Sequence, residues 1–129
     1  MKFEDDLSSL KLIDFGISTK YDRSKSWEIL SQRCGTLHFM APEILMKQEY
    51  HKAVDIWSVG VVMYILISGG RHPLFDRRNH NYEEYVEILK SRKEVEYPEE
   101  LGFTKLSISL IKRMLEYSEI HRFNADQCI

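Results

Sequence analysis

The chain has 129 residues, 43% hydrophobic and 29% charged, which excludes a disordered, collagen-like or disulfide-scaffold protein and fits one globular domain. Eighteen Lys and Arg against 20 Asp and Glu leave a net charge of -2, too balanced for the basic footprint of a nucleic-acid partner. The two cysteines, Cys34 and Cys128, form no zinc spacing, the N-terminus turns acidic at once, and no apolar run nears the roughly 20 residues that cross a bilayer. The expectation is no membrane association and a reducing compartment, the cytoplasm, with the nucleus as the alternative.

In chain order, Leu10 to Ile13 reads as a short strand that the polar Glu4 to Ser9 stretch turns back on Met1 to Phe3 as a hairpin. Gly16 to Gly35 is polar and aperiodic, a long loop. Pro42 to Met46 has proline at a first helical position and makes one or two turns. Asp55 to Ser68 is apolar almost all round, the pattern of a helix buried on every side, and Gly69-Gly70 ends it. A loop runs from Pro73 to Asn81. Tyr82, Tyr85, Val86 and Leu89 then recur at i, i+3, i+4 and i+7 on an amphipathic helix. A further helix follows Ser107 as N-cap, with Leu110, Ile111, Met114 and Leu115 on one face, and Asn124 with Gln127 opens a last helical turn through a capping box. The basic tracts Lys90 to Lys93 and Lys112-Arg113 read as solvated helix faces.

The chemistry enters at Asp14-Phe15-Gly16, directly after the apolar strand. Alone the tripeptide is weak, since an aspartate there is usually a turn former. Twenty-five residues beyond Gly16 comes Ala41-Pro42-Glu43, preceded by Cys34-Gly35-Thr36-Leu37-His38-Phe39-Met40. This pair resembles the metal-binding and terminal signatures that bracket the activation segment of protein kinases. Asp55-Ile56-Trp57-Ser58-Val59-Gly60 resembles the start of the central helix of the kinase large lobe, and Arg122 with Ala125 its closing motif. Gly35-Thr36 is similar to serine/threonine kinases, and Tyr64 to Gly69 followed by Pro73-Leu74-Phe75 looks most like the calcium/calmodulin-dependent and calcium-dependent group.

The resemblance implies a mostly α fold: a kinase C-lobe fragment over 1–129, with a β-hairpin remnant, the activation segment and helices around one buried central helix. It implies ATP and Mg2+ as cofactors, with Asp14 the magnesium ligand, Phe15 packing inward, and Gly16 permitting the turn. Thr36 would meet the catalytic aspartate, with Gly35 and Leu37 walling the substrate groove. Leu37 and His38 read equally well as a loop apolar residue and a solvated imidazole. Glu43 and Arg122 would form a buried ion pair, Asp55 would accept backbone hydrogen bonds from the catalytic loop, and Trp57 would pack beneath the activation segment. Protein substrates are the implied partners. A kinase or a chaperone is the partner class open to a fragment.

The absences bear on function. The glycines at 16, 35, 60, 69, 70 and 102 form no Gly-x-Gly-x-x-Gly. There is no Val-Ala-Ile-Lys, and no His-Arg-Asp catalytic loop before Asp14; His121-Arg122-Phe123-Asn124 comes after it and has Phe where the base must be a carboxylate. The expectation is a chain that does not phosphorylate anything alone, and a central helix with exposed apolar area where the family places a neighbouring helix. Ser118-Glu119 and Phe39 depart from the family's Asp-Pro and Tyr, and Gln32 stands where the activating phosphosite is usual, with Ser31 nearest. The alternatives are a non-catalytic, pseudokinase-like binding module and an unrelated small helical protein.

Overall fold

A computed structural model describes residues 11–20, 35–75 and 81–129. Its regular elements are four α-helices, α1 (Pro42–Leu45), α2 (Ala53–Ile67), α3 (Tyr82–Lys90) and α4 (Lys105–Met114), with 3-10 turns at Leu37–Phe39, Glu99–Leu101 and Ala125–Gln127. Among the described residues no strand forms, and a single residue, Tyr50, makes an isolated bridge. The fold is mostly α.

Local sequence explains where the helices begin and end. Proline stands at the first position of α1, where a missing N–H costs nothing. The Asn81 side chain accepts from the Glu84 N–H to cap α3, with Glu83 and Glu84 in its first turn and Lys90 in its last, each complementing the helix dipole. At the end of α2 the Gly70 N–H reaches the Ile65 carbonyl at 2.8 Å. This closure needs the left-handed conformation that Gly69 adopts at φ 69.

The core lies between α2, α3, α4 and the 71–75 loop. Trp57, Val61, Leu74, Tyr85, Leu89 and Ile111 are fully enclosed. α2 is its axis and packs on α4 and on the Leu37–Phe39 turn. Gly60 sets the approach of α2 to α4: a Cβ there would lie 2.9 Å from Met114 Cβ and 3.0 Å from Leu115 Cδ2. Tyr64 donates from its hydroxyl to the Glu96 carbonyl at 2.7 Å, fastening the segment after α3 to the same helix.

Three details differ from the sequence expectation. α2 is not buried on every side as its pattern suggests: Val59, Val62 and Leu66 remain 53%, 43% and 75% exposed, which is the open apolar area expected where the family places a neighbouring helix. α4 begins earlier, capped by Thr104 rather than Ser107; Ser107 is the third helical residue and returns a hydrogen bond to the Thr104 N–H, the reciprocal capping box. Lys11 to Ile13 form no strand, since they find no ladder partner among the described residues; Met1 to Leu10 lie outside them. The Asn124 to Gln127 box is present, although the turn it opens is 3-10. No described helix is long and apolar enough to cross a membrane.

Candidate functional site

Residues 14–19, the 35–40 segment and the first turns of α2 enclose a cleft of about 380 Å3. Asp14, Thr36 and Asp55, from three separate sequence motifs, all line it. Asp14 is held in the left-handed region at φ 81, where a short carboxylate side chain is among the few that settle without glycine. Its Oδ1 accepts the Gly16 N–H at 3.2 Å. A Cβ on residue 16 would meet that same oxygen at 3.2 Å, so glycine leaves the carboxylate its position. The turn is completed by Ser18, whose N–H and hydroxyl both donate to the Phe15 carbonyl, at 3.0 and 2.8 Å. Asp14 thus presents a second carboxylate oxygen with no protein partner among the described residues.

Thr36 occupies the cap position of the Leu37–Phe39 turn, yet its side chain makes no capping bond and its hydroxyl stays available to the cleft. Asp55 sits in the first turn of α2, exposed by surface area, while the cleft walls desolvate its carboxyl enough to raise its pKa. Among the described residues no group of three His, Cys, Asp or Glu could hold a metal ion between them. The donor set of the cleft, with an open Asp14 carboxylate oxygen, is chemically compatible with a cation such as Mg2+ that takes few protein ligands and fills its shell with phosphate and water oxygens.

The cleft wall is pinned from behind. Ser58 on α2 donates from its hydroxyl to the Phe39 carbonyl at 2.8 Å. The His38 carbonyl accepts from Tyr85 at 3.2 Å and from His72 Nε2 at 2.7 Å. The Leu74 N–H donates to His72 Nδ1 at 3.1 Å, which leaves the ring proton on Nε2 and fixes the tautomer. Burial pushes His72 down to about 4, so the ring is neutral at ordinary pH. Below it, Arg122 donates from Nη1 and Nη2 to the two carboxylate oxygens of Glu43 at 2.6 and 3.0 Å, and both residues are buried. Arg122 also donates to the carbonyls of Ala53 and Glu116. Its guanidinium stands 5.2 Å from the centre of the Trp57 ring.

Several sequence expectations require correction here. Phe15 does not pack inward: it is 67% exposed, because all of residues 11–20 face solvent and offer it no apolar surface. Leu37 packs against the core, the loop apolar residue of its alternative reading, and Gly35 lines the Asp14 cleft. His38 is not a freely solvated imidazole; its ring stands edge-on to Phe75 at 4.8 Å. Ser31, Gln32 and Cys34 lie outside the described residues. Sequence reasoning missed the His51–Glu119 contact, in which Glu119 Oε1 accepts from the His51 backbone N–H at 3.0 Å and meets the ring Nδ1 at 3.1 Å. It also gave no role to His72. Nothing in the local sequence pattern announces either contact, since each joins residues distant along the chain.

Comparison with known proteins follows the same lines. The protein kinase domain family matches residues 3–129. The chain is similar to calcium/calmodulin-dependent protein kinase type II of Caenorhabditis briggsae, 34% identical over 122 residues that make up 95% of this chain and 22% of the relative. A probable myosin light chain kinase of Dictyostelium discoideum is 35% identical over 120 residues, 93% of this chain and 29% of the relative. Calcium/calmodulin-dependent protein kinase type 1 of Macrobrachium nipponense is 38% identical over 94 residues, 73% of this chain and 25% of the relative. The chain spans less than a third of the length of these curated relatives.

Proposed function

Because the chain belongs to the serine/threonine protein kinase family and most resembles its calcium/calmodulin-dependent group, we propose that it is the large-lobe part of a phosphotransferase acting on protein serine or threonine. The observation that carries this reading is the convergence of Asp14, Thr36 and Asp55 on one cleft from three motifs spaced along 42 residues of chain.

In this reading Asp14 would hold Mg2+ through one hard carboxylate oxygen, and the ion would supply charge neutralisation to the phosphates of ATP. Thr36 offers its hydroxyl to the catalytic group that faces the substrate. The pinned carbonyls of His38 and Phe39 hold the wall on which a protein substrate rests. Glu43, Arg122 and Trp57 fix that wall to α2 and position it without touching reactants.

The 129-residue chain by itself does not transfer phosphate. Phosphoryl transfer depends on positioning and electrostatics, and the sequence carries one metal ligand without a Gly-rich loop, a phosphate-binding lysine or a carboxylate base. A chimera tests the positive half of the reading. The portion of a calcium/calmodulin-dependent kinase that precedes the Asp-Phe-Gly motif is fused ahead of Lys11. The folded chimera is expected to phosphorylate a serine peptide and to lose that activity with Asp14→Asn. A folded chimera without activity, or activity that survives the substitution, overturns the assignment.

A further inference from the structure

A second cleft, of about 290 Å3, lies between the segment that follows α3 and the end of α4. It shares no residue with the Asp14 cleft. Its size is close to the lower end of the range for small-ligand sites, roughly 300 to 1,000 Å3. It brings together two basic tracts that the sequence keeps apart, Arg92 and Lys93 from one and Lys112 from the other.

Among the described residues these three cations have no carboxylate partner, although Glu94 and Glu116 line the same cleft. Glu116 instead turns Oε1 toward the Ser118 N–H, at 3.3 Å. Lys112 Nζ rests 5.7 Å over the Tyr97 ring, a cation–π contact that leaves its hydrogen-bonding capacity free.

The cleft is also preorganised. Tyr117 donates to the Lys93 carbonyl at 3.0 Å and Tyr64 donates to the Glu96 carbonyl at 2.7 Å, so the 93–97 segment is held at two points. Arg92 follows the C-cap of α3 in the left-handed region at φ 51, where glycine is the favoured residue. The chain thus places a long cation where backbone sterics favour the absence of a side chain. Burial pushes the Tyr117 hydroxyl up to about 12, and the Arg92 guanidinium pulls it the other way, which puts that charge at the cleft's aromatic wall.

We propose that this cleft binds a phosphate monoester, with Arg92, Lys93 and Lys112 as its cationic donors and Tyr97 and Tyr117 as its walls. A phosphate monoester suits three convergent donors better than a carboxylate, because it brings close to two negative charges and three acceptor oxygens, enough to engage Arg92, Lys93 and Lys112 together against the opposing charge of Glu94 and Glu116. The space admits the group that carries the phosphate as well as the phosphate itself. Its source is a phosphorylated side chain or a small phosphate ester.

The test titrates the chain with O-phosphotyrosine, O-phosphoserine and inorganic phosphate at constant ionic strength, with potassium chloride and unphosphorylated tyrosine as controls. Amide resonances of residues 92–97 and 112–117 are followed together with the thermal midpoint. Saturable shifts confined to those residues are expected, and a midpoint rise of about 3 °C at tenfold excess over Kd. Lys112→Ala and Arg92→Gly are each expected to weaken binding about tenfold; the second relieves a left-handed backbone and so keeps the fold. Phosphoamino acids binding tighter than glycerol 3-phosphate, titrated alongside, identify a phosphorylated side chain as the source and equal or weaker binding a small phosphate ester, whereas inorganic phosphate binding as tightly as either ester contradicts a monoester site. No shifts at these residues, equal shifts with chloride, or binding unchanged in both variants overturns the proposal.

Discussion

Arg122 grips both carboxylate oxygens of Glu43 in a buried, two-pronged ion pair that joins α1 to the turn after α4. The planar guanidinium fork matches a carboxylate as no ammonium does. Two further N–H groups donate to the carbonyls of Ala53 and Glu116, so four of the five guanidinium donors are used and the charge is enclosed. Glu43→Gln or Arg122→Met is expected to cost about 3 to 5 kcal/mol, since the surviving partner stays buried and uncompensated. The double variant is expected to cost less than the sum of the two. Urea unfolding of the four proteins in a double-mutant cycle measures the coupling.

Gly60 is the contact point of α2 on α4. In an exposed helix Gly→Ala gains up to about 1 kcal/mol, but here the new methyl meets Met114 Cβ at 2.9 Å, an atom that moves only with its backbone. Gly60→Ala is therefore expected to destabilise by about 1 to 3 kcal/mol, with the overpacking term outweighing propensity. A thermal midpoint at or above that of the parent counts against this packing.

His72 predicts a pH dependence. Its folded-state pKa lies near 4, below the ordinary 6.5, because burial disfavours the charged ring and protonation of Nδ1 would break its bond from Leu74. As pH falls, the unfolded chain takes up this proton first. The stabilisation is fully present above 6.5, drains between 6.5 and about 4, and amounts to about 2 to 3 kcal/mol. Asp55, with its pKa raised by burial, acts with the opposite sign over its own range. Chemical denaturation from pH 7 to pH 4 is expected to show a steeper loss for the parent than for His72→Phe, and parallel curves contradict the assignment.

The open face of α2 predicts apolar surface. Val59, Val62 and Leu66 form a stripe along that helix facing away from the core. Val62→Glu with Leu66→Lys is expected to change stability by no more than about 0.5 kcal/mol per site while lowering fluorescence of an apolar-surface dye. A loss of several kcal/mol shows that the stripe is covered.

Much of this was legible in the sequence because it was local. The i, i+3, i+4, i+7 pattern of Tyr82 to Leu89 marked α3, the proline at 42 marked α1, and Asn124 with Gln127 marked its capping box. The Thr104 cap escaped because its partner at the third helical position is Ser107, not the Glu or Gln that usually marks such a box. The open apolar area on α2 was expected from the resemblance, but which side would be open escaped, because an all-apolar helix has no periodicity to say which side is covered. In the site, the residues that carry motif chemistry could be named from the chain, whereas His72, Glu119 and the Arg92–Lys112 cleft arise from contacts between distant segments.

Phosphoryl transfer by the purified 129-residue chain tests the central claim most directly. With labelled ATP, Mg2+ and a serine-containing peptide, no transfer above the protein-free blank is expected, because the 129 residues hold no Gly-x-Gly-x-x-Gly, no Val-Ala-Ile-Lys and no His-Arg-Asp ahead of Asp14. Transfer by the parent chain that disappears with Asp14→Asn would contradict the account.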